Sequence, residues 1–232
     1  MSQKITQNLK TLRNQIRKKG KPNQTIKLVA VTKTRSAEQV SVAIEAGVSS
    51  IGENKVQEAE AKFSHIEKIK SVEKRLIGQL QSNKIKKAIK LFDTIDSVDS
   101  TKLAKKISKA SALIKKKQRV LIQVNTSDET TKGGFEKESI DEILSCFNLK
   151  NIKIEGLMTI GPTEPDNSKR ERAFMLLGKI FSKINARLTE DKKMTELSMG
   201  MSGDFLLGIE NGSTMVRVGT LIFGKREEFV GR

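Results

Sequence analysis

Short apolar runs alternate with amphipathic stretches from one end of the chain to the other. Apolar residues at positions 5, 9, 12 and 16 recur at helical spacing, which predicts an extra N-terminal helix over about 2–19. The run IKLVAV at 26–31 is continuous and apolar, as in a strand that is buried on both faces. Ser36 then predicts a helix N-cap, and Gly47 predicts the end of that helix.

The same alternation continues to the end of the chain. Further strands are predicted at 48–51, 75–78, 92–98, 120–125, 152–160, 195–199 and 214–218. Helices are predicted after residue 54, near 82–90, over 101–115, 137–146 and 169–188, and from about 204. Regular β-α alternation requires parallel strands with right-handed crossovers, and about eight such units suit a (βα)8 barrel. Since no Pro/Ser-rich linker divides the chain, we predict an α/β fold consisting of a single-domain (βα)8 TIM-type barrel over 1–232.

Composition excludes several classes of protein. The chain has one cysteine, Cys146, and one histidine, His65, so neither a disulfide framework nor a His- or Cys-rich metal site is expected. No apolar run approaches the roughly 18 residues of a membrane span, and the first 20 residues lack the apolar core of a signal peptide. We therefore expect a cytoplasmic protein that does not bind membranes.

The net charge of +17, from 44 Lys and Arg against 27 Asp and Glu, raises the possibility of nucleic-acid binding. The basic residues are spread along the chain, mostly on the polar faces of predicted helices, where lysine is ordinarily solvated. Phe is the only aromatic residue type, so a base-stacking platform is not expected. A basic scaffold that binds nucleic acid remains the weakest of the interpretations.

In a (βα)8 barrel, the residues that carry chemistry lie at the carboxyl ends of the strands. Lys33 follows the first strand in LVAVTKT, where its amine is placed to form a Schiff base with a carbonyl or simply to face solvent. The small-residue loop SMGMS at 198–202 precedes a predicted helix, an arrangement that suits a phosphate. Gly219 and Thr220 offer a similar backbone approach after the eighth strand. Together with Arg217, these features describe a pocket for pyridoxal 5′-phosphate (PLP).

The runs that carry these residues resemble one family. They are LVAVTKT, IGENKVQE, IGQLQSNK, IEGLMTI, ELSMGMSGDF and STMVRVGTLIFGKR, in order from about residue 10 to residue 226. This set resembles the pyridoxal phosphate homeostasis protein family, whose members are PLP-binding barrels of the alanine racemase N-terminal domain kind.

The resemblance implies a role for each candidate residue. It implies that PLP is linked to Lys33 and that its phosphate is surrounded by Ser198, Ser202, Gly219 and Thr220. It further implies that Arg217 faces the pyridine nitrogen, that Asn54 lines the pocket and that Met158 lies against the ring.

The chain departs from the family pattern at two places. An aromatic residue and a histidine usually precede the glycine of the third strand, where this chain has Lys74, Arg75, Leu76 and Ile77. The tyrosine that often follows the GEN run is replaced by Lys55. These changes bear on packing around the cofactor or on a partner surface, not on Lys33 or the phosphate loops.

The absence of tyrosine argues against strong catalysis, because alanine racemase uses a tyrosine as its second acid/base. An arginine facing the pyridine nitrogen also weakens PLP as an electron sink. We predict a monomeric carrier or regulator that acts in vitamin B6 homeostasis and exchanges PLP with apoenzymes or small amino acids. The alternative is a weak PLP-dependent racemase or deaminase.

Overall fold

The computed structural model describes residues 2–22, 24–127, 129 and 131–225. Within them, eight parallel strands form one closed barrel in chain order. The strands are β1 (Lys27–Val31), β2 (Ser50–Glu53), β3 (Glu73–Leu76), β4 (Thr94–Val98), β5 (Gln118–Gln123), β6 (Ile152–Met158), β7 (Glu196–Met201) and β8 (Met215–Val218). The predicted (βα)8 barrel is confirmed.

Helices follow the strands around the outside of the barrel. Those in the described ranges are α1 (Ser2–Lys19), α2 (Ala37–Glu45), α3 (Val56–Phe63), α4 (Ile85–Leu91), α5 (Thr101–Ala112), α6 (Ile140–Cys146), α7 (Asn167–Asn185), α8 (Phe205–Glu210) and α9 (Thr220–Phe223). Three short 3-10 helices lie at Glu67–Ser71, Ser82–Lys84 and Glu190–Lys192. Among the described residues, no helix combines the length and the apolar character that crossing a bilayer requires.

The N-terminal helix completes the outer ring. Its buried face consists of Ile5, Leu9, Leu12 and Ile16, which are the residues whose spacing predicts it. α1 packs against α2, α8 and α9, and the side-chain amide of Asn8 donates to the carbonyl of Ile222 at 2.9 Å. The helix thereby covers the seam between the first and last βα units.

Several predicted bounds are wrong by two or three residues. β2 was predicted at 48–51 and spans Ser50–Glu53, while β3 was predicted at 75–78 and spans Glu73–Leu76. α6 begins at Ile140 instead of 137. α9 was not predicted, because four residues are too few to show a helical period. Ser36 caps α2 as predicted, since its hydroxyl accepts from the Gln39 amide at 3.3 Å.

The barrel interior divides into an apolar and a charged region. Val29, Leu121, Met158 and Met215 form the apolar region. Towards the amino ends of the strands, the fully buried guanidinium of Arg75 contacts three carboxylates at 2.7–2.9 Å. These belong to Glu73, Asp96 and Glu196. The Arg75 network therefore fills the closed end of the barrel with ion pairs, an arrangement that the sequence analysis did not predict.

Gly156 in β6 lies where β7 approaches most closely. A Cβ at this position would lie 1.7 Å from the carbonyl oxygen of Glu196, its ladder partner. We expect Gly156→Ala to lower the free energy of unfolding by about 1–3 kcal/mol, because the two strands must separate to admit the methyl group. Denaturant unfolding measures this loss. Gly178→Ala in α7 is the matched control, since a Cβ there has no neighbour within 4 Å, and an unchanged stability of Gly156→Ala would contradict the prediction.

Candidate functional site

A cleft of about 240 Å³ opens at the carboxyl ends of β1, β7 and β8. It is lined by Val31, Lys33, Arg35, Met201, Ser202, Gly203, Arg217, Gly219 and Thr220. The volume lies below the range of about 300–1,000 Å³ that holds drug-sized ligands, so the cleft suits a smaller molecule. Three of these nine residues are basic and none is a carboxylate, so the lining favours an anionic ligand.

Wider grooves of about 580, 780 and 850 Å³ lie elsewhere on the surface. The first lies beside the amino ends of β5 and β6, the second between α1 and the start of β1, and the third between α7 and the loop after α8. We place the site at the smaller cleft because βα barrels bind their ligands at the carboxyl ends of the strands. None of the predicted site residues lines the wider grooves.

Lys33 lies in a tight turn directly after β1. The carbonyl of the buried Thr32 accepts the N–H of Arg35 at 3.1 Å, which closes the turn around Lys33. Thr34 adopts a φ of +60°, a left-handed conformation that is rare for a β-branched residue. This turn places the half-buried Lys33 in the lining of the cleft.

Two backbone segments line the cleft together with Lys33. The Ser202 hydroxyl accepts from the Gly219 amide at 3.2 Å, which joins the turn after β7 to the start of α9. A Cβ at Gly219 would lie 3.2 Å from the carbonyl oxygen of Val31, so a larger residue would be crowded there. Thr220 follows as the exposed first residue of α9, and the first amides of a helix have no intrahelical acceptor. Such a wall brings main-chain N–H groups close to an anion.

Arg217 supplies a fixed positive charge at the base of the cleft. Its Nη1 donates to the Ser198 hydroxyl at 2.6 Å, and its Nη2 donates to the carbonyl of Thr159 at 2.7 Å. Burial lowers the pKa of Arg217 to about 10, and the charges of Asp96 and Asp204 oppose that change. The guanidinium therefore remains protonated at neutral pH.

The structure places the eight predicted residues at different depths. Lys33, Ser202, Arg217, Gly219 and Thr220 line the cleft together, and Ser198 lies one hydrogen bond behind Arg217.

Besides Ser198, two of the predicted residues lie outside the lining. Met158 is fully buried within the apolar region of the barrel interior. Asn54 directly follows β2, and its backbone approaches Gly78 so closely that a Cβ on the glycine would lie 2.4 Å from the Asn54 carbonyl oxygen.

Arg35 is the charged cleft residue that the sequence analysis missed. The Arg35 guanidinium donates to the carbonyl of Gly224 at 2.6 Å and lies 5.7 Å from the centre of the Phe223 ring. Its position two residues after Lys33, just beyond a buried strand, was a signal that could have identified it.

Other chemically active side chains lie away from the cleft. Glu53 is buried and accepts hydrogen bonds from Lys62 and Thr32, and burial raises the pKa of its carboxyl group. Burial likewise raises the pKa of the Cys146 thiol, whereas His65 is exposed on the surface. The described ranges contain no group of three His, Cys, Asp or Glu residues placed to hold a metal ion.

Comparisons with known proteins agree on one family. The family model for the alanine racemase N-terminal domain matches residues 2–227. The pyridoxal phosphate homeostasis protein of Pasteurella multocida is 35% identical over 229 residues, which cover 98% of both chains.

Solved structures extend the comparison. PipY of Synechococcus elongatus with PLP bound is 32% identical, with a TM-score of 0.84 over 95% of this chain and 100% of that one. An alanine racemase from Clostridium difficile shares the fold, with a TM-score of 0.76 at 19% identity over 98% of this chain and 58% of that one.

Proposed function

The chain belongs to the pyridoxal phosphate homeostasis protein family, which is built on the alanine racemase N-terminal domain, and on that premise we propose that it binds PLP in the Lys33 cleft. The observation that carries this proposal is the convergence of an amine, a buried cation and two main-chain segments on one small cleft without carboxylates. A phosphorylated aldehyde requires these groups: a nucleophile for its carbonyl and donors for its phosphate. The residues present therefore fit PLP.

Each residue has a distinct part in holding the cofactor. Lys33 is the covalent attachment point, and Ser202, Gly219 and Thr220 surround the phosphate. Arg217 faces the pyridine nitrogen, and Ser198, which bonds Arg217 at 2.6 Å, keeps the guanidinium in place. Asn54 and Met158 lie outside the lining of the cleft, so their predicted contact with the cofactor would be indirect, from the β2 and β6 sides. When bound, PLP supplies an aldehyde that reacts reversibly with primary amines.

We propose a carrier or regulator in place of an enzyme with strong turnover. A protonated Arg217 donates to the pyridine nitrogen instead of protonating it, which limits the withdrawal of electrons by the ring. The sequence contains no tyrosine, and neither Glu53 nor Cys146 lines the cleft. With the residues that the structure describes, the site would thus hold the cofactor without a second acid/base, and another primary amine would release it by taking the place of Lys33.

Its role in the cell follows from this chemistry. The protein acts in the cytoplasm as a monomer and supports vitamin B6 homeostasis, with effects on amino- and keto-acid balance. The amines that accept PLP from it are those of PLP-dependent apoenzymes or small amino acids.

Turnover assays with the PLP-loaded protein distinguish a carrier from a weak racemase or deaminase. We expect incubation with L-alanine to release PLP while the enantiomer ratio stays constant and no more than one equivalent of keto acid forms. Chiral chromatography and a keto-acid assay measure both products, and the apoprotein is the control. Steady accumulation of D-alanine or pyruvate would overturn the carrier assignment and leave PLP binding intact.

A further inference from the structure

A buried lysine lies beneath the turn that carries Lys33. Lys62 projects from α3, and only 7% of its side chain is exposed. Its ammonium group donates to three oxygens: the Thr32 carbonyl at 2.7 Å, Glu53 Oε1 at 2.7 Å and Glu58 Oε1 at 2.9 Å. All three N–H donors of this lysine are therefore used.

These bonds hold both neighbours of Lys33. The carbonyl of Thr32, the residue before Lys33, is bound by Lys62 directly. The amide of Thr34, the residue after it, donates to the same Glu58 oxygen that Lys62 binds. The Lys62 clamp, meaning Lys62 with Glu53 and Glu58, thus fixes the main chain on each side of Lys33.

The turn needs such support because of its backbone conformation. Thr34 has a φ of +60°, which places its β-branched side chain in a strained region that persists only where surrounding contacts impose it. Without the bond to Glu58, the turn would relax towards an ordinary φ, and the direction of the Lys33 side chain would change.

Stability alone does not account for a lysine at this position. Replacing a buried ion pair by apolar side chains of similar volume is often neutral or stabilising, because burial of charge costs as much as pairing returns. Lys62 is surrounded by the buried residues Val56, Ala59 and Phe63 of the same helix, where an apolar side chain would fit the pattern. What an apolar residue could not provide is a donor for the Thr32 carbonyl and a charge that orients Glu58.

We infer that Lys62 is a positioning residue for the cofactor-binding lysine, acting with Glu58 to hold the Thr32–Thr34 turn so that the Lys33 amine enters the cleft. This inference rests on the proposed function, since PLP is the ligand that Lys33 is positioned to meet. Lys62 itself touches the turn and does not line the cleft.

The test compares Lys62→Met with Lys87→Met, which removes an exposed lysine of α4 that pairs with Glu60 of α3. PLP is titrated onto each variant, the product is trapped with borohydride, and the adduct on Lys33 is quantified by peptide mapping. We expect Lys62→Met to bind PLP at Lys33 about tenfold more weakly or worse, as expected when a reacting group loses its fixed position. Lys87→Met should stay within about twofold of wild type.

A second substitution separates positioning from folding. Thr34→Gly removes the cost of a positive φ, so in the Lys62→Met background it should restore at least about a third of the lost affinity. Glu58→Gln keeps an acceptor for the Thr34 amide and should weaken binding by less than Lys62→Met does. Should Lys62→Met fail to fold, Glu58→Gln carries the test alone, and PLP binding at Lys33 equal to that of wild type would then overturn the inference.

Several results would overturn the inference. A folded Lys62→Met protein that binds PLP at Lys33 within twofold of wild type would do so, as would a loss that Thr34→Gly leaves unchanged. If wild type fails to form the adduct, the proposed function is wrong, and competitive acetylation of Lys33 still tests the clamp. In that assay we expect the acetylation rate of Lys33, measured relative to exposed lysines, to differ between Lys62→Met and wild type. An equal rate in the two proteins would refute the inference.

Discussion

In the Lys33→Ala variant, borohydride should trap no PLP on the peptide that contains residue 33, and the part of the visible absorbance that depends on covalent attachment should disappear. Lys33 is the one lysine among the described residues that line the cleft, so its removal deletes the nucleophile and leaves the phosphate wall in place. We expect the yield of covalent adduct to fall about a hundredfold or more, the size of effect that follows loss of an oriented reactive group. Intact mass and peptide mapping after borohydride treatment measure this yield.

Lys33→Arg is the control for charge. It keeps a cation at the mouth of the cleft, but guanidinium is not a nucleophile at neutral pH, so this variant should also form no adduct. Both variants should retain weak, phosphate-competable PLP binding, because Ser202, Gly219 and Arg217 are unchanged. Their unfolding free energies should stay within about 1 kcal/mol of wild type, since a half-buried turn residue is replaced. An undiminished adduct on another lysine would show that the attachment point is assigned wrongly.

The strand positions were predicted from apolar runs, and the late predicted starts of β3 and β5 share one physical cause. β3 begins at Glu73 and β5 at Gln118, each two residues before its predicted start. The missed positions are Glu73 and Lys74 in β3, and Gln118 and Arg119 in β5. All four are polar or charged, and each pair directly precedes the predicted start of its strand. A criterion based on apolar runs stops at charged residues, whereas here Glu73 and Arg119 point into the barrel and neutralise one another.

The candidate site was predictable where it depends on strand ends. Lys33, Arg217 and Gly219 follow from a barrel whose strand ends converge, so knowing the order of elements was enough to bring them together. The Lys62 clamp was not predictable, because it joins residues about 30 positions apart through main-chain acceptors that leave no periodic signal. Asn54 and Met158 show the converse: a position near a strand end does not determine whether the side chain reaches the cleft.

The departure from the family pattern in β3 now has a structural account. Lys74 pairs with Asp93 at 2.8 Å on the outside of the barrel, and Leu76 is buried in the core between strands and helices. Arg75, where the family usually has a histidine or an aromatic residue, is fully buried and bound to Asp96 through Nε at 2.8 Å. The change at Arg75 therefore affects the closed end of the barrel. The second departure, Lys55, is an exposed residue directly before α3.

The Arg75→Met variant should lose about 3–5 kcal/mol of unfolding free energy at neutral pH, which would be the largest stability loss among the substitutions considered. Removing one partner of a buried ion pair leaves the others uncompensated in a medium that solvates charge poorly. Here Asp96 would lose its direct ion pair and keep only the weaker attraction of the more distant Arg217, and one of its oxygens already has no hydrogen-bond partner among the described residues. Urea unfolding measures the loss. Arg187→Met is the matched control, because it breaks an exposed pair with Asp141 and should change stability by less than about 1 kcal/mol.

The pH dependence of that loss distinguishes unpaired charge from poor packing. Burial acts to raise the pKa of Glu73, but the charges of Arg75, Lys27 and Arg119 outweigh it and lower the pKa to about 2. In wild type, this carboxylate stabilises the fold above its unfolded pKa of 4.5, and the contribution is lost as the pH falls towards 2. In Arg75→Met the carboxylates lose their main cation, so their pKa values rise and protonation relieves the penalty on acidification. The difference in unfolding free energy between wild type and Arg75→Met should therefore become smaller as the pH falls from 7 to about 4. A difference that stays constant with pH would mean that lost packing, and not unpaired charge, destabilises the variant.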